Sequence, residues 1–447
     1  MRSETARLAL AAAAIVALAG AGPDDFDVQT QIGPNPVLPA PQQYLLPPMH
    51  LAPVVGWKSD ETPKVAPDLR IQAFATGLEH PRSVYTLPNG DVLVVETRSP
   101  GIEPTRRPKN IVMNWMESKV TSNGTNTGSN RITLLRDTHG DGKPDARTVF
   151  LDHLYSPFGV ALVGNDLYVA NTDAILRFPY TSGETGITEP GTVLTPLPGG
   201  PIDHHWTKSL VASEDGTKLY VGVGSNSNIT ENGLGAEYER AAIWEVDRAT
   251  GAHRIYASGL RNPNGLSWEP QSHVLWTVVN ERDELGPNLV PDYLTSVKPD
   301  GFYGWPYSYY GQHLDPRVSP QRPDLVAKAI VPDYALSSHV APLGLVFDTG
   351  HGLPARFSGG AFVGEHGSWD RQILNGYKVV FIPFSGGKPN GMAEDVVTGF
   401  LDGDGQAQGR PVALALDKTG ALLIADDVGN TVWRVSSATQ AQAANTR

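Results

Sequence analysis

The chain has 447 residues, 40% of them hydrophobic, with a formal net charge of −12 and no cysteine. That balance argues against binding to nucleic acid or to an anionic membrane surface. It also removes disulfides, thiolate catalysis, thiolate-bound zinc and a lipid anchor on an N-terminal cysteine.

Taken from the start of the chain, Arg2 and Arg7 precede LALAAAAIVALAGAG, an apolar run too short and small-sided for a spanning helix. Small residues suited to cleavage follow near Ala21–Gly22, so residues 1–22 read as a signal peptide. The alternative is an uncleaved membrane anchor. The mature protein is expected to be periplasmic or secreted. Residues 23–66 are proline-rich (PNPVLPAPQQYLLPP) and read as an extended lead-in on or beside the domain. From about Asp68 the texture changes to short β-type runs between Gly, Pro, Asn and Asp. One domain is expected over 67–436, with a disordered tail at 437–447.

Within that domain a unit recurs: an entry marked by Pro or Gly, an apolar strand, a turn, and a second apolar strand. Six copies stand in the chain: HPRSVYTLPNGDVLVVE, SPFGVALVGNDLYVAN, HHWTKSLVASEDGTKLYVGVG, NPNGLSWEPQSHVLWTVVN, APLGLVFDTG…FSGGAFVGE and GRPVALALDKTGALLIAD. Further strands such as RITLLRD, AILRFPY, AIWEVDR and GYKVVFIPF lie between them. Each unit then holds about four antiparallel strands. Six units closed radially make an all-β, six-bladed β-propeller of four-stranded antiparallel blades, preceded by the proline-rich lead-in. A strand at 69–76 would complete the last blade beside TVWRV, joining the chain ends and leaving no long exposed edge. A pair of β-sandwiches does not account for the constant entry signal.

Three insertions interrupt the repeat: the polar SPGIEPTRR…TNTGSN, the aromatic YSYYGQHLDP…LSSHV, and the blade-five loop GEHGSWDRQILN. Long loops in a compact domain are more often functional than decorative.

The first residues of each innermost strand face a common axis. They include Arg82, His205, Arg261, Asn262 and Arg410, and the blade-five loop adds His366 and Trp369. Cations gathered together repel one another, so such a mouth needs either a carboxylate for each or a shared polyanion. The shared ligand accounts for all of them at once.

At this point the residues resemble a family. GLRNPNGLSWEP, LWTVVNERDELG, PDYLTSV, GFYGWPYSYYGQH, FVGEHGSWDR and GRPVALALD are similar to stretches of the quinoprotein sugar dehydrogenases of the glucose/sorbosone dehydrogenase family, closest to the sorbosone branch. The resemblance covers roughly Asp68 to Ser436. It implies a propeller that binds pyrroloquinoline quinone (PQQ) with Ca²⁺, oxidises a sugar or sugar aldehyde, and passes electrons to an external quinone or cytochrome. Under it, His205 matches the general base, with His366 as a competitor for that role, and Arg82 matches a pocket arginine. Arg261 and Asn262 match a quinone-contacting pair, Arg410 matches a ligand of the cofactor carboxylates, and Trp369 lies beside the cofactor. The metal is implied near Arg282 and Asp283, through backbone carbonyls, with carboxylates of Glu281 and Glu284 close by. The chain departs from the aldose-oxidising members in having His204, with Asp203 one step earlier, before the base histidine.

A second calcium candidate is RDTHGDGKPD, with Asp137, Asp141 and Asp145, although no Glu closes the loop and a plain hairpin turn fits equally. Two other readings stand beside the dehydrogenase. A gluconolactonase-type hydrolase would hold a central divalent ion by Glu, Asp and Asn, whereas these entrances carry Arg and His. A non-catalytic propeller would have no reason to cluster histidines.

Overall fold

Proline opens four innermost strands: Pro81–Thr86, Pro263–Trp268, Pro342–Phe347 and Pro411–Leu416. Lacking an N–H, proline belongs on a strand with one unpaired edge, and here that edge faces the central channel. The structure, a computed structural model, describes residues 26–44, 48–101, 128–350 and 352–439. It is a six-bladed β-propeller.

From the axis outward, blade one runs Pro81–Thr86, Val92–Glu96, Arg131–Arg136 and Ala146–Leu151. Blade two runs Gly159–Val163, Asp166–Ala170, Ala174–Pro179 and Thr192–Pro196. Blade three runs Leu210–Ala212, Lys218–Val223, Ala242–Asp247 and His253–Ser258. In blade four the order is Pro263–Trp268, Leu275–Val279, Pro291–Ser296 and Tyr334–Ser338. Blade five follows with Pro342–Phe347, Ala361–Glu365, Lys378–Ile382 and Glu394–Thr398. Blade six contains Pro411–Leu416, Leu422–Asp426 and Thr431–Ser437, and is completed by Leu69–Ala75 from near the start of the chain. Leu69 pairs with Ser437 and Ala75 with Val432, so the ring closes with hydrogen bonds.

The second strand of a blade is covered on both faces by its neighbours. Val92–Glu96, Leu275–Val279, Ala361–Glu365 and Leu422–Asp426 are therefore buried throughout and read as continuous apolar runs without alternation. Each interface between blades has its own core: Leu93 with Phe150 and Val169, Tyr168 with Val221 and Trp244, Ile243 with Leu275 and Tyr293. The remaining three contain Trp276 with Val363, Phe362 with Leu422, and Phe74 with Val94 and Leu423. Burying one such side chain stabilises by about 1.5–3 kcal/mol. In the channel Phe158, Leu343 and Val412 pack together where three inner strands begin. A cavity of about 420 Å³ runs along the inner strands, with Ser83, Ser209, Ser267 and aliphatic side chains in its wall and no charged residue. The wall of this cavity is thus uncharged, and Arg82, His205, Arg261 and Arg410 lie outside it.

Blades three, four and five carry five strands, where four are expected from the repeat. Gly301–Phe302, from the aromatic insertion, adds in parallel to blade three. The lead-in supplies the other two: Ile32–Gly33 pairs with Ala335 and Leu336 of blade four, and Lys64–Val65 pairs with Val397 and Thr398 of blade five. These additions cover outer edges that would otherwise expose free backbone groups. The lead-in also crosses the mouth loops, where Gln42 N–H donates to Leu285 O and His50 N–H to Trp369 O. The 1–22 segment, most of the polar insertion and the tail beyond 439 lie outside the described residues.

Between the lead-in and blade five is a cavity of about 190 Å³ that includes Gln29, Glu365, Asn375 and Lys378 in its lining. Glu365 is 2% exposed, and its Oε2 is buried without a hydrogen-bond partner among the described residues. Burial pushes its carboxyl up to about 8. The unfolded chain releases this proton near pH 4.5 and the folded one near 8. Stability is therefore complete below the lower value and is lost as pH rises through that window. Glu365→Gln removes the loss. Its stabilisation should be about 2–3 kcal/mol greater at pH 9 than at pH 6, read from urea unfolding at both; an equal gain at the two pH values would refute this account.

Candidate functional site

Antiparallel pairing brings the start of each innermost strand and the end of the second strand to the same mouth. His205 precedes Leu210–Ala212, and its Nδ1 lies 2.8 Å from Ser225 O and 3.0 Å from Ser225 Oγ, just past the second strand. A carbonyl only accepts, so Nδ1 carries the ring proton and Nε2 is left as the acceptor. Burial, then the neighbouring His204 and the Arg261 charge, hold His205 well below the usual imidazole range. The ring is neutral at physiological pH. Gly224 makes room for it: a Cβ there would stand 2.4 Å from His205 Cβ and 2.5 Å from Asn262 Oδ1. Asn262 and His205 thus flank one glycine, and Asn262 Oδ1 is buried without a partner among the described residues. Arg240 fixes the backbone beneath, donating from Nη2 to His205 O at 3.2 Å and from Nε to Gly224 O at 2.9 Å.

Across the mouth a second group forms around Asp427, immediately after Leu422–Asp426. Arg82 Nη1 lies 2.6 Å from its Oδ2, His366 Nε2 3.0 Å and His80 Nε2 3.5 Å. Burial disfavours the Asp427 charge, but His366, Arg82 and His80 more than offset this and hold the carboxyl well below its usual range. Burial lowers His366 to about 4 against the pull of Asp427. It is a neutral imidazole with Nε2 turned to a carboxylate. The Arg82 guanidinium sits over the Trp206 ring at 5.7 Å, which links this group to the segment carrying His205. Arg410 donates from Nη2 to Tyr377 Oη at 2.8 Å and lies 4.9 Å over the same ring. Tyr377 in turn donates to Ser368 O at 2.8 Å. Gly367, with φ of 106°, allows the blade-five loop to turn there, since a Cβ would meet the Tyr377 ring at 2.3 Å. Arg82 Nε and Arg410 Nε are both buried without a partner among the described residues.

Arg261 behaves differently. Its Nε donates to Asn228 O (3.1 Å), Nη1 to Asn280 O (3.3 Å) and Glu281 O (2.7 Å), and Nη2 to Asn228 Oδ1 (2.9 Å) and Asp283 Oδ2 (3.2 Å). All five N–H groups are committed inside the protein. What Arg261 offers the mouth is positive charge and a fixed loop. Arg282 is fully buried, its guanidinium 3.0 Å from both Glu281 Oε2 and Asp315 Oδ2 and bonded to Pro306 O and Ser308 O. Arg317 Nη1 reaches Asp283 O and Glu284 O at 3.1 and 3.2 Å, so the aromatic insertion buttresses the 281–286 loop. Asp283 faces His339, with Nδ1 3.3 Å from Oδ1. Burial works against the Asp283 charge, yet the bonds from His339 and Arg261 keep its carboxyl below the usual value. Burial also works against the His339 charge, but the facing carboxylates lift the ring to about 9.

The structure therefore brings together His205, Asn262, Arg261 and Asp283 on one side, and Arg82, His366 and Arg410 on the other. Trp369 stands in the same loop as His366, partly exposed, with its backbone carbonyl taken by His50 N–H. The Asp137–Asp145 turn is closed on itself: Asp137 accepts from the N–H groups of Gly140, Asp141 and Gly142, and Asp145 from Thr138. These bonds shape the connection between Arg131–Arg136 and Ala146–Leu151. Asp427, Arg240, His339 and Asp370 are not among the residues singled out from the sequence. Asp427 has a signal there: it directly follows the second strand of its repeat, the place held by His366 in blade five and by Asn280 in blade four.

For a polyanion the residues fit, since Arg82 and Arg410 each keep a buried, unanswered donor at the mouth. For calcium held by loop carbonyls, Asp283 O is already taken by Asn228 and Arg317 and Glu284 O accepts from Arg317, whereas the carbonyls of Asn280 and Glu281 each accept from Arg261 and keep a second lone pair.

By sequence, residues 63–291 and 324–438 match the TrAA12-like family, and the chain belongs to it. Residues 244–370 also match the glucose/sorbosone dehydrogenase family. An uncharacterized protein of Borreliella burgdorferi is 28% identical over 292 residues, 63% of this chain and 76% of that one. Among solved structures, the holo form of the pyranose dehydrogenase PQQ domain from Coprinopsis cinerea superposes with a TM-score of 0.67 at 20% identity, covering 85% of this chain and 98% of that one. The calcium structure of the Trichoderma reesei carbohydrate-active enzyme of family AA12 has a TM-score of 0.67 at 19% identity, over 87% and 98% of the two chains. At such identities the structural likeness speaks for the fold.

Proposed function

We propose that the chain is an exported quinoprotein that oxidises a sugar or sugar aldehyde and passes the electrons to an external quinone or cytochrome. The observation that carries this reading is the pair of arginines, Arg82 and Arg410, whose buried Nε groups lack partners beside two neutral histidines. Family membership and the PQQ domain named in a neighbouring structure support it. PQQ, when bound, supplies an ortho-quinone that accepts a hydride. Arg82 and Arg410 would hold its carboxylates by charge-assisted bonds. Asn262 and the Trp369 loop border the same space. His205 takes the substrate hydroxyl proton on Nε2, the lone pair left free by its bond to Ser225. His366, held by Asp427, orients the substrate and excludes water from that side. No step is derived through calcium.

The test is dye reduction by purified protein stripped with a chelator. Adding PQQ should restore turnover of aldoses or sugar aldehydes, with calcium supplied and withheld in parallel. Full turnover under chelator with no quinone added would refute the reading.

A further inference from the structure

Three segments meet behind Arg261: the loop after the second strand of blade four, the turn after its fourth strand, and the blade-five loop. One ligand-capable atom from each of Asp283, His339 and Asp370 lies within 4.8 Å of the others, the one such group among the described residues. His339 is 6% exposed and Asp370 1%. His339 Nε2 lies 3.1 Å from Gly286 O, so Nε2 keeps a proton while Nδ1 faces the carboxylates, and an ion bound there would displace the Nδ1 proton of the His339–Asp283 ion pair to solvent. Anchoring the far nitrogen of an imidazole to a carbonyl is how proteins aim a histidine at a metal. Asp370 Oδ2 accepts from Glu284 N–H at 3.0 Å, while its Oδ1 is buried with no partner among the described residues. A buried oxygen with no donor marks a position that something else completes. The Asp283 side chain keeps 19% exposure, which leaves a way in from the mouth.

We propose that Asp283, His339 and Asp370 form a binding site for a divalent transition-metal ion of the zinc class, with an open coordination position toward the mouth. The donor set decides the class of ion. One imidazole nitrogen and two carboxylates suit zinc or its neighbours, and three protein ligands leave a fourth position for water or substrate. Calcium instead takes six to eight oxygens and no imidazole nitrogen, a shell that two carboxylates and a histidine do not supply. A bound ion would add to the bonds that already join the three loops, the ion pairs of His339 and Arg261 with Asp283 and the Glu284 N–H to Asp370. The proposal is independent of the quinone reading, and its test contains no quinone.

The full-length protein is stripped with chelator, dialysed, and titrated calorimetrically with Zn²⁺, with Ca²⁺ as comparator. One equivalent of Zn²⁺ should bind and raise Tm, with Ca²⁺ at least ~10²-fold weaker. Asp370→Asn keeps an oxygen for the Glu284 N–H and should fold, yet it should weaken Zn²⁺ binding by at least ~10²-fold, more than loss of a supporting residue does. Asp283→Asn should do the same, and replacing the exposed His139 with alanine should change nothing. Absence of Zn²⁺ uptake, with Tm unmoved, would mean an ion-paired triad only. Equal binding by wild type and Asp370→Asn would locate the ion elsewhere, and calcium binding as tight as zinc would refute the class. Each of these overturns the proposal.

Discussion

His205→Ala should lower kcat by about 10²–10⁴-fold while leaving quinone binding intact, because a general base contributes that much and the carboxylate-holding arginines are elsewhere. The geometry gives the reason. Ser225 O fixes the proton on Nδ1 at 2.8 Å, so the ring needs no rearrangement to accept on Nε2. His366→Ala should cost less, since its Nε2 is committed to Asp427 and its part is orientation. The pH profile is a second readout. Burial keeps His205 well below the usual imidazole range and His366 near 4, so turnover should show no loss as pH falls through the range where an ordinary histidine charges. Stopped-flow reduction at saturating quinone decides between them. If His366→Ala is the inactive variant and His205→Ala is nearly normal, the base has been assigned to the wrong ring.

Arg261→Ala should destabilise the fold by about 3–5 kcal/mol, the range for breaking a buried ion pair and leaving its partner charged. The loss reaches further than one pair. The carbonyls of Asn280 and Glu281 lose the donor that Arg261 gives them, and Asn228 O, Asn228 Oδ1 and the Asp283 carboxylate each lose one of two, keeping Trp305, the Asp283 N–H and His339. Arg261→Lys should recover little, because one ammonium cannot answer acceptors spread around a planar fork. Urea midpoints for the two variants test this, alongside quinone titration. A wild-type midpoint with greatly weakened quinone binding would mean that the guanidinium turns to the ligand instead.

The propeller was legible in the chain because its evidence is periodic. Six entry signals, the apolar second strands that follow them and a β-type strand at 69–76 left over for blade six all point one way, and each depends only on local pattern. The edge strands of blades three to five were not legible. Ile32–Gly33, Lys64–Val65 and Gly301–Phe302 are two residues each, and no period exists in a pair.

At the site, local sequence put Arg82, His205, Arg261, Asn262 and Arg410 at strand entrances, and the structure puts them there too. Their tasks were a different matter. Arg82 and Arg261 look alike as entrance arginines, but the first keeps an unanswered Nε and the second has every donor filled by loops 19 to 33 residues away. Asp427 reaches Arg82 across 345 residues, and His339 reaches Gly286 across 53. Composition and period determined that this chain is an all-β propeller with cations at one mouth. Which cation is spent on the fold and which is left for a ligand was decided only by tertiary structure, because a guanidinium's availability depends on acceptors that distant segments bring to it.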